Sequence, residues 1–271
     1  MLFRSLKSAG FDIVTTANNH SLDRGPDGVE RTLKFLELQG LVTKGTARSA
    51  AEADEAVIVE RNGIRLGLLA YTYGTNGIPI PKDRTYLVAL MDEAKMARDI
   101  RALREAGADY VAVALHFGVE YQPLPSEAQK TVARKLIAAG ADLIAGSHPH
   151  VVQPYEIIET PEAGGAVRKG VIIYSMGNFI SNQRDGLKDF GIIYRVTLRK
   201  ENGLTNPIDI EPIVTWVHRY KQKGRNHYRI LPVEQTLERR DDPLLTAADY
   251  RHMESGLTTL KKRLTEMGAP G

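Results

Sequence analysis

A short motif that occurs three times constrains the fold of this chain more than any other feature of its sequence. In each copy, a segment with helical periodicity ends at a glycine, and an aspartate then opens an apolar run. The three copies are Gly10-Phe11-Asp12, Gly107-Ala108-Asp109 and Gly140-Ala141-Asp142. Glycine commonly ends helices, and short apolar runs with β-branched residues are typical of buried strands. Helices that alternate with such strands predict an α/β fold with a parallel sheet.

Histidines follow all three apolar runs. The runs and the histidines behind them are 11–17 with His20, 110–115 with His116, and 141–145 with His148 and His150. Four of the seven histidines therefore come directly after predicted strands. Ligands of open α/β sheets bind at the carboxyl ends of the strands, and imidazole is the commonest protein ligand of transition metals. The pattern indicates a metal site, in which Pro149 would hold its two neighbouring rings in a defined relation.

Composition excludes several other classes of protein. The chain has 271 residues, of which 42% are hydrophobic and 25% charged, as in an ordinary soluble globular protein. It has no cysteine, so any metal must be held by nitrogen and oxygen. A net charge of +3 does not indicate a nucleic-acid-binding protein. No apolar stretch of about 20 residues could span a membrane, and residues 1–10 resemble the end of an amphipathic helix rather than a signal peptide.

Turn and capping residues predict the remaining elements. Asn62-Gly63 indicates a hairpin between strands over 55–60 and 64–72. Three helices are predicted: one from Pro26 to Gly40 with Leu33, Phe35 and Leu36 on its apolar face, one over 92–106, and one capped by Ser126 and Gln129. Beyond residue 150 the pattern changes to strands over 171–175, 192–198, 208–216 and 228–233, with Asn202-Gly203 as a turn. We expect one domain over 1–240 and an amphipathic helical tail over 241–271.

Four motifs, in this order, resemble the CapA family, which is named for capsule and poly-γ-glutamate synthesis and is similar to the calcineurin-like metallophosphoesterases. The motifs are Ala17-Asn18-Asn19-His20, Leu115-His116-Phe117-Gly118-Val119-Glu120-Tyr121, Gly146-Ser147-His148-Pro149-His150 and Ser175-Met176-Gly177-Asn178-Phe179. The resemblance runs from about residue 10 to about residue 235. It implies a calcineurin-like metallophosphoesterase α/β sandwich of mixed sheets, with a C-terminal β-hairpin and helical appendix.

The resemblance also implies roles for particular residues. Asn19, His116 and His148 would bind one divalent ion of Mn, Zn or Fe, and His150 would bind a second. Such ions stabilise the charge that develops on phosphoryl oxygens. His20 would protonate the leaving oxygen while Asp23 orients its imidazole. Further candidates, for contacts with substrate or for holding a ligand in place, are Asn18, Glu120, Tyr121 and Asn178.

The chain departs from the family pattern at its N-terminus. Relatives of full length begin with a strand that ends in Gly-Asp and a segment that carries a Glu, and these supply carboxylates to the metal centre. This chain begins after both. Three explanations remain open: the sequence is truncated, the protein is a degenerate relative, or a partner completes the sheet. We therefore expect an N-terminally truncated fold, one bound ion or none, and doubtful activity. The location would be cytoplasmic for the chain as given, or the cell envelope if a missing N-terminus carried an export signal or anchor.

Two functions remain open. The first is a metal-dependent hydrolase of capsule or poly-γ-glutamate biosynthesis that acts on a phosphoester. The second is a non-catalytic accessory or polymer-binding subunit of bacterial envelope assembly, which keeps only the fold and a partial metal site and acts with other capsule-synthesis proteins. Basic residues interleaved with aromatic ones over 219–229 could bind an anionic polymer or a membrane surface, or could be the solvated face of a hairpin. Taken singly, His116 could be structural, and Asp23, Glu120 and Asn178 could be turn or surface residues.

Overall fold

In a computed structural model, which describes residues 2–267, strands alternate with helices up to residue 150 and antiparallel strands follow. The α-helices are α1 (Leu2–Ser8), α2 (Gly25–Glu37), α3 (Ala50–Asp54), α4 (Glu93–Glu105), α5 (Glu127–Ala138), α6 (Val233–Arg239) and α7 (Ala247–Thr265). The strands are β1 (Ile13–Thr15), β2 (Val42–Lys44), β3 (Val57–Arg61), β4 (Ile64–Thr72), β5 (Tyr110–His116), β6 (Leu143–Ser147), β7 (Tyr155–Pro161), β8 (Val167–Ile173), β9 (Phe190–Glu201), β10 (Leu204–Gln222) and β11 (Arg225–Pro232).

The elements divide between two units of the chain. The first unit holds the chain up to Phe117 together with Arg134–Ile144, and the second holds Gly118–Ala133 and the chain from Ala145 onward. In the first unit, β1 pairs in parallel with β2, while β4 pairs antiparallel with β3 and parallel with β5. In the second unit, β7 pairs antiparallel with β8, and β10 lies between β9 and β11, antiparallel to both. The mixed sheets agree with the predicted fold class, whereas the predicted domain boundary at residue 240 stays a prediction.

The glycines of the three Gly-x-Asp motifs end helices, as predicted. Gly10 follows α1 with φ of 91°, Gly107 follows α4 with φ of 87°, and Gly140 follows α5 with φ of 112°. Residues with a side chain are rare at such angles, so glycine lets the chain turn out of each helix and into the next strand. The repeated motif therefore marks the same helix-to-strand turn three times.

Two of the motif aspartates link neighbouring strands of the first unit. Oδ2 of Asp109 accepts the backbone N–H of Arg65 at 2.9 Å, at the start of β4. Oδ2 of Asp142 accepts the backbone N–H of Val111 at 2.7 Å, in β5, and also accepts a hydrogen bond from the guanidinium of Arg104. Each carboxylate satisfies a backbone donor at the point where two strands begin to run side by side.

Local signals predicted several element boundaries correctly. Asn62 and Gly63 adopt φ of 49° and 75° between the antiparallel strands β3 and β4, as an Asn-Gly hairpin turn requires. Ser126 and Gln129 exchange hydrogen bonds ahead of α5, since Ser126 Oγ accepts the N–H of Gln129 and Gln129 Oε1 accepts the N–H of Ser126. Asp92 caps α4 by accepting the N–H of Lys95. The predicted C-terminal helix is α7.

Other sequence predictions need correction. Phe35 is 48% exposed, because the buried face of α2 is formed by Val29, Leu33 and Leu36 at helical spacing and Phe35 lies off that face. The first strand covers three residues rather than 11–17, and its partner β2 is equally short and ends just before Gly45, where φ is 118°. The sequence did not predict β7, and β9, β10 and β11 extend beyond the predicted runs.

A well-buried strand of the first unit, β5, leads directly to a candidate site residue. Tyr110, Val111, Val113 and Leu115 of β5 are almost fully buried, and His116 is the last residue of the strand. Burial of this extent holds the strand end firmly in place. Among residues 2–267, no helix combines the length and the apolar character needed to cross a membrane.

Candidate metal centre

In the first unit, the loop after β1 meets the end of β5. Asn19 is only 5% exposed, and its Oδ1 lies 2.9 Å from Nε2 of His116. The amide nitrogen of Asn19 donates to Oδ1 of Asn76 at 3.0 Å, which leaves the amide oxygen turned toward the imidazole. The pair is hydrogen-bonded, with Nε2 of His116 donating to the amide oxygen. Its separation is also close to the distance of about 3 Å between neighbouring ligands of an octahedral ion at about 2.1 Å each.

His20 lies on the exposed side of the same loop. Its Nδ1 is 2.8 Å from Oδ2 of Asp23, and 64% of its side chain is exposed. Asn18 shapes the loop, because its Oδ1 accepts the backbone N–H of His20 at 2.8 Å and its own N–H donates to Oγ of Ser21. The contact required for Asp23 to orient His20 is present, while the catalytic roles of both residues stay predictions. The oxygen of Asn18 is engaged by the backbone, which leaves it less available to a substrate.

Sequence analysis missed two residues around this pair. Asn76, at φ of 52°, holds the amide of Asn19, and the ring of Tyr73 stacks on that of His116 with centroids 6.5 Å apart. Both lie in the segment that follows β4, which ends at Thr72. A polar turn behind an apolar strand is the same signal that marked His20 and His116. Applied to β4, that signal could have identified the Tyr73 to Gly77 segment as well.

In the second unit, the backbone is strained at two candidate ligands. His148 and His150 adopt φ of 102° and 61°, in the left-handed region that non-glycine residues rarely occupy. Such residues cost on the order of 1–3 kcal/mol each and persist where their surroundings hold them. One restraint is the backbone N–H of Tyr121, which donates to the carbonyl oxygen of Pro149 at 2.7 Å. The two histidines are thus held in an unfavourable conformation by the neighbouring loop.

The same loop brings a carboxylate to these histidines. Glu120, His148 and His150 each offer a ligand atom, and all three atoms lie within 4.8 Å of one another. Oε1 of Glu120 is 3.9 Å from Nε2 of His150, and His148 is only 8% exposed. A carboxylate and two imidazoles form a ligand set that suits Zn, Mn or Fe. The residues present therefore fit a divalent ion.

Two further residues that were predicted as site residues contact His150. Oδ1 of Asn178 lies 2.9 Å from Nδ1 of His150, and the Tyr121 ring stacks on the His150 ring with centroids 5.9 Å apart. Desolvation, and then the nearby Glu120 carboxylate, raises the pKa of the half-exposed Tyr121 phenol. The predicted residues thus form one group around Asn19 in the first unit and one around His150 in the second. Whether the two groups share an ion stays a prediction.

A model of a known protein family matches most of the chain. The family model described as "Bacterial capsule synthesis protein PGA_cap" matches residues 1–183. The capsule biosynthesis protein CapA of Bacillus anthracis is 30% identical over 183 residues, which are 66% of this chain and 42% of that protein. The PGA biosynthesis protein CapA of Bacillus subtilis is 32% identical over 189 residues, 66% of this chain and 44% of that protein. The chain spans less than half the length of these curated relatives.

The fold resembles that of solved structures over nearly the whole chain. The NAD nucleotidase NadN of Haemophilus influenzae superposes with a TM-score of 0.51 at 12% identity, over 97% of this chain and 48% of that chain. The sulfate thiohydrolase SoxB of Thermus thermophilus superposes with a TM-score of 0.50 at 17% identity, over 96% of this chain and 39% of that chain. At such low identity these similarities show the fold alone. The fold is the calcineurin-like metallophosphoesterase fold that the sequence predicted.

Proposed function

The chain belongs to the PGA_cap family of bacterial capsule synthesis proteins, and on that premise we propose that it is a metal-dependent hydrolase of phosphoesters. The substrate would be a phosphoester or a related intermediate of an envelope polymer such as the capsule or poly-γ-glutamate. The names of the two CapA relatives support an envelope polymer as the source of the substrate, and the calcineurin-like fold supports phosphoester hydrolysis as the type of reaction.

The proposal rests on two groups of candidate residues whose metal-binding atoms lie close together. Glu120, His148 and His150 have ligand atoms within 4.8 Å of one another, and Asn19 and His116 lie 2.9 Å apart. When bound, divalent ions would supply Lewis-acid stabilisation for the negative charge on the phosphoryl oxygens. The strain at His148 and His150 supports a role in function, since strained residues cluster at functional sites.

The chain itself would supply proton transfer and substrate access. His20 would hold a proton for the leaving oxygen, and the Asp23 carboxylate would keep the imidazole in one orientation through its contact with Nδ1. The exposure of His20 would let a large substrate, such as the end of a polymer, reach it. This arrangement assigns binding of the ions to the two groups of candidate ligands and contact with the leaving group to the exposed pair of His20 and Asp23.

Metal-dependent hydrolysis can be tested on model substrates. The purified chain would be freed of metal with a chelator, reloaded with Mn²⁺ or Zn²⁺, and mixed with p-nitrophenyl phosphate or bis(p-nitrophenyl) phosphate. We expect release of p-nitrophenolate that requires the ion, that disappears after chelation, and that falls at least 100-fold in His116→Ala and in His148→Ala. A metal-loaded chain that releases no product above that of the two variants would contradict the proposal and favour the second candidate below.

The second candidate is a non-catalytic polymer-binding subunit, and one observation favours it. Residues 212–233 contain five Arg or Lys and no Asp or Glu, although the chain as a whole carries a net charge of only +3. These residues include the turn between β10 and β11. An anionic polymer is the partner that such a charge distribution would attract. Both functions could belong to one protein, because the basic residues and the metal ligands are different residues.

A further inference from the structure

The first unit contains a cavity of about 490 Å³. Its walls come from the ends of β2 and β4, from residues 80–90, and from helices α3 and α4. Among the residues that the structure describes, no candidate metal ligand or catalytic residue lines it. Pockets that bind small molecules have volumes of about 300–1,000 Å³. The cavity is therefore large enough for a small organic molecule.

Aromatic and aliphatic side chains form much of the cavity wall. The aromatic rings belong to Tyr71 and Tyr86, and the aliphatic side chains include those of Ile80, Val88 and Leu90. Leu90 is 43% exposed, so part of this apolar surface is open to solvent. An apolar molecule in the cavity would remove that surface from water, which favours its binding.

One ammonium group of the cavity wall has a hydrogen-bond donor left for a ligand. Nζ of Lys44 donates at 2.8 Å to the backbone carbonyl oxygens of Ala53 and Glu55. An ammonium group has three N–H donors, so one remains after these two bonds. Desolvation lowers the pKa of Lys44, because the charged form has lost part of its water without gaining a carboxylate at contact distance. An anion in the cavity would restore what the ammonium group has lost.

The carboxylate of Asp99, which also lines the cavity, is engaged by other donors. Its Oδ2 accepts the phenol O–H of Tyr71 at 2.6 Å and an N–H of the Lys95 ammonium group at 2.6 Å. Burial, and then the hydrogen bond to Asp99, raises the pKa of the Tyr71 phenol, so the phenol keeps its proton and remains a donor. Asp99 is thus held by Tyr71 and Lys95, which leaves the charge of Lys44 for a ligand.

The charged side chains of the cavity wall favour a ligand with a single negative charge. They are three cations, Lys44, Lys95 and Arg98, and two carboxylates, Asp92 and Asp99, which gives a net charge of +1. A monoanion would neutralise this charge, whereas a dianion would also be repelled by the two carboxylates. A carboxylate group carries one charge at neutral pH, and its oxygens accept the kind of N–H that Lys44 has left.

We propose that this cavity binds a small organic acid in which one carboxylate group is joined to an apolar body. The carboxylate pairs with the ammonium group of Lys44, and the apolar body lies against Tyr86 and Leu90. The inference goes beyond the proposed function, because neither a metal ion nor His20 takes part in the binding.

Two probes of nearly equal size test the class of ligand. The first, 1-naphthylacetate, carries one carboxylate on an aromatic body, and 1-naphthylacetamide is its uncharged analogue. By ligand-observed NMR titration of the unmodified chain, we expect the carboxylate to bind with a dissociation constant below about 1 mM and the amide to bind at least about tenfold more weakly. Equal affinities, or no saturable binding of the carboxylate, would overturn the proposal. This comparison needs no substitution, so it stays informative if a variant fails to fold.

Variants test whether the carboxylate binds in this cavity. We expect Lys44→Gln to raise the dissociation constant of 1-naphthylacetate about 10- to 100-fold, which is the usual effect of losing a hydrogen bond to a charged group, and to change that of the amide little. Lys34→Gln is the matched control, since Lys34 is an exposed lysine of α2 in the same unit and does not line the cavity. Unchanged affinity in Lys44→Gln, or equal weakening in Lys34→Gln, would remove Lys44 from the site.

Further titrations separate this inference from the proposed function. Binding of 1-naphthylacetate should be the same before and after chelation of metal, and the same in His116→Ala. Loss of binding in either case would mean that the carboxylate binds at the metal centre, which would overturn the cavity site. A chain that binds the carboxylate through Lys44 but hydrolyses no phosphoester would keep this site and contradict only the proposed function.

Discussion

At the scale of single residues, the exposed pair of His20 and Asp23 determines which nitrogen can transfer a proton. Asp23 accepts the Nδ1 proton of His20 over 2.8 Å, which leaves Nε2 as the nitrogen that can exchange a proton with a substrate. The pair lies three residues apart in a loop whose backbone is shaped by Asn18 and Ser21. An imidazole that is held in this way suits general acid catalysis.

Replacement of His20 tests this role. In the metal-loaded chain, we expect His20→Gln to lower kcat for p-nitrophenyl phosphate by about 100- to 10,000-fold, the usual contribution of a general acid. Glutamine keeps a hydrogen-bonding side chain but cannot transfer a proton at neutral pH. Metal content, measured by elemental analysis, should not change, because the candidate ligands lie elsewhere. Equal kcat values for the variant and the unmodified chain would remove His20 from the mechanism.

At the scale of elements, a buried carboxylate holds strands together. Asp142 is fully buried and accepts hydrogen bonds from the backbone of Val111 and from Arg104. The same guanidinium also donates to the carbonyl oxygens of Gly140 and Asp109, so it links the turn after α5 to the start of β5. The ends of α4, β5 and β6 therefore depend on one ion pair within the first unit.

Neutralising this carboxylate should destabilise the fold. We expect Asp142→Asn to lower the free energy of unfolding by about 1–3 kcal/mol, because an amide accepts a weaker hydrogen bond from Arg104 and brings a donor that must find its own acceptor. Asp12→Asn is the matched control, since Asp12 holds the same place in the motif but its side chain is 65% exposed. Its effect should stay within about 0.5 kcal/mol.

Urea denaturation followed by circular dichroism measures both variants. The two sites share their place after a glycine and ahead of a strand but differ in burial and partners, since Asp142 is buried against Arg104 and the backbone of Val111 while the exposed side chain of Asp12 contacts Lys7. If Asp12→Asn and Asp142→Asn had the same effect on the unfolding midpoint, the Arg104 ion pair would not be what stabilises the start of β5.

At the scale of the whole molecule, positive charge is concentrated at one turn. Arg219 contacts Asn182 and Arg229 pairs with Asp242, whereas Lys221, Lys223 and Arg225 are exposed at the turn between β10 and β11. A cluster of exposed cations attracts polyanions through long-range electrostatics, and salt screens that attraction. This region is outside residues 1–183, where the family model matches.

Binding of a polyanion should depend on this turn. We expect the variant with Lys221, Lys223 and Arg225 all changed to Gln to bind poly-glutamate at least tenfold more weakly at about 50 mM salt than the unmodified chain. The difference should shrink as salt is raised. Fluorescence anisotropy of labelled polymer gives both dissociation constants.

Net charge must be controlled in this experiment. A second triple variant removes three exposed cations elsewhere on the chain, at Arg61, Lys82 and Lys262. Equal weakening in the two variants would mean that binding responds to the total charge and not to the turn. In that case the polymer-binding candidate would lose the observation that favours it.

Short-range sequence signals predicted the fold class, the hairpin between β3 and β4 and several helix ends. The Asn62-Gly63 hairpin, the Ser126 and Gln129 cap and the Gly-x-Asp turns depend on residues only a few positions apart. Their conformations follow from local sterics and hydrogen bonding, so they can be recognised without tertiary contacts. The same reasoning failed for Phe35, whose exposure depends on which face of α2 packs.

The sequence by itself determined that His20, His148 and His150 follow strands and that His116 lies at the end of one, because helix ends and apolar runs are local properties of the chain. Only the tertiary structure decided which atoms meet. Asn19 and His116 are 97 positions apart, and His150 and Asn178 are 28 apart, so no short-range signal could pair them. The orientation of an amide and the tautomer of an imidazole depend on every hydrogen-bonding neighbour, and those neighbours come together only when the chain has packed.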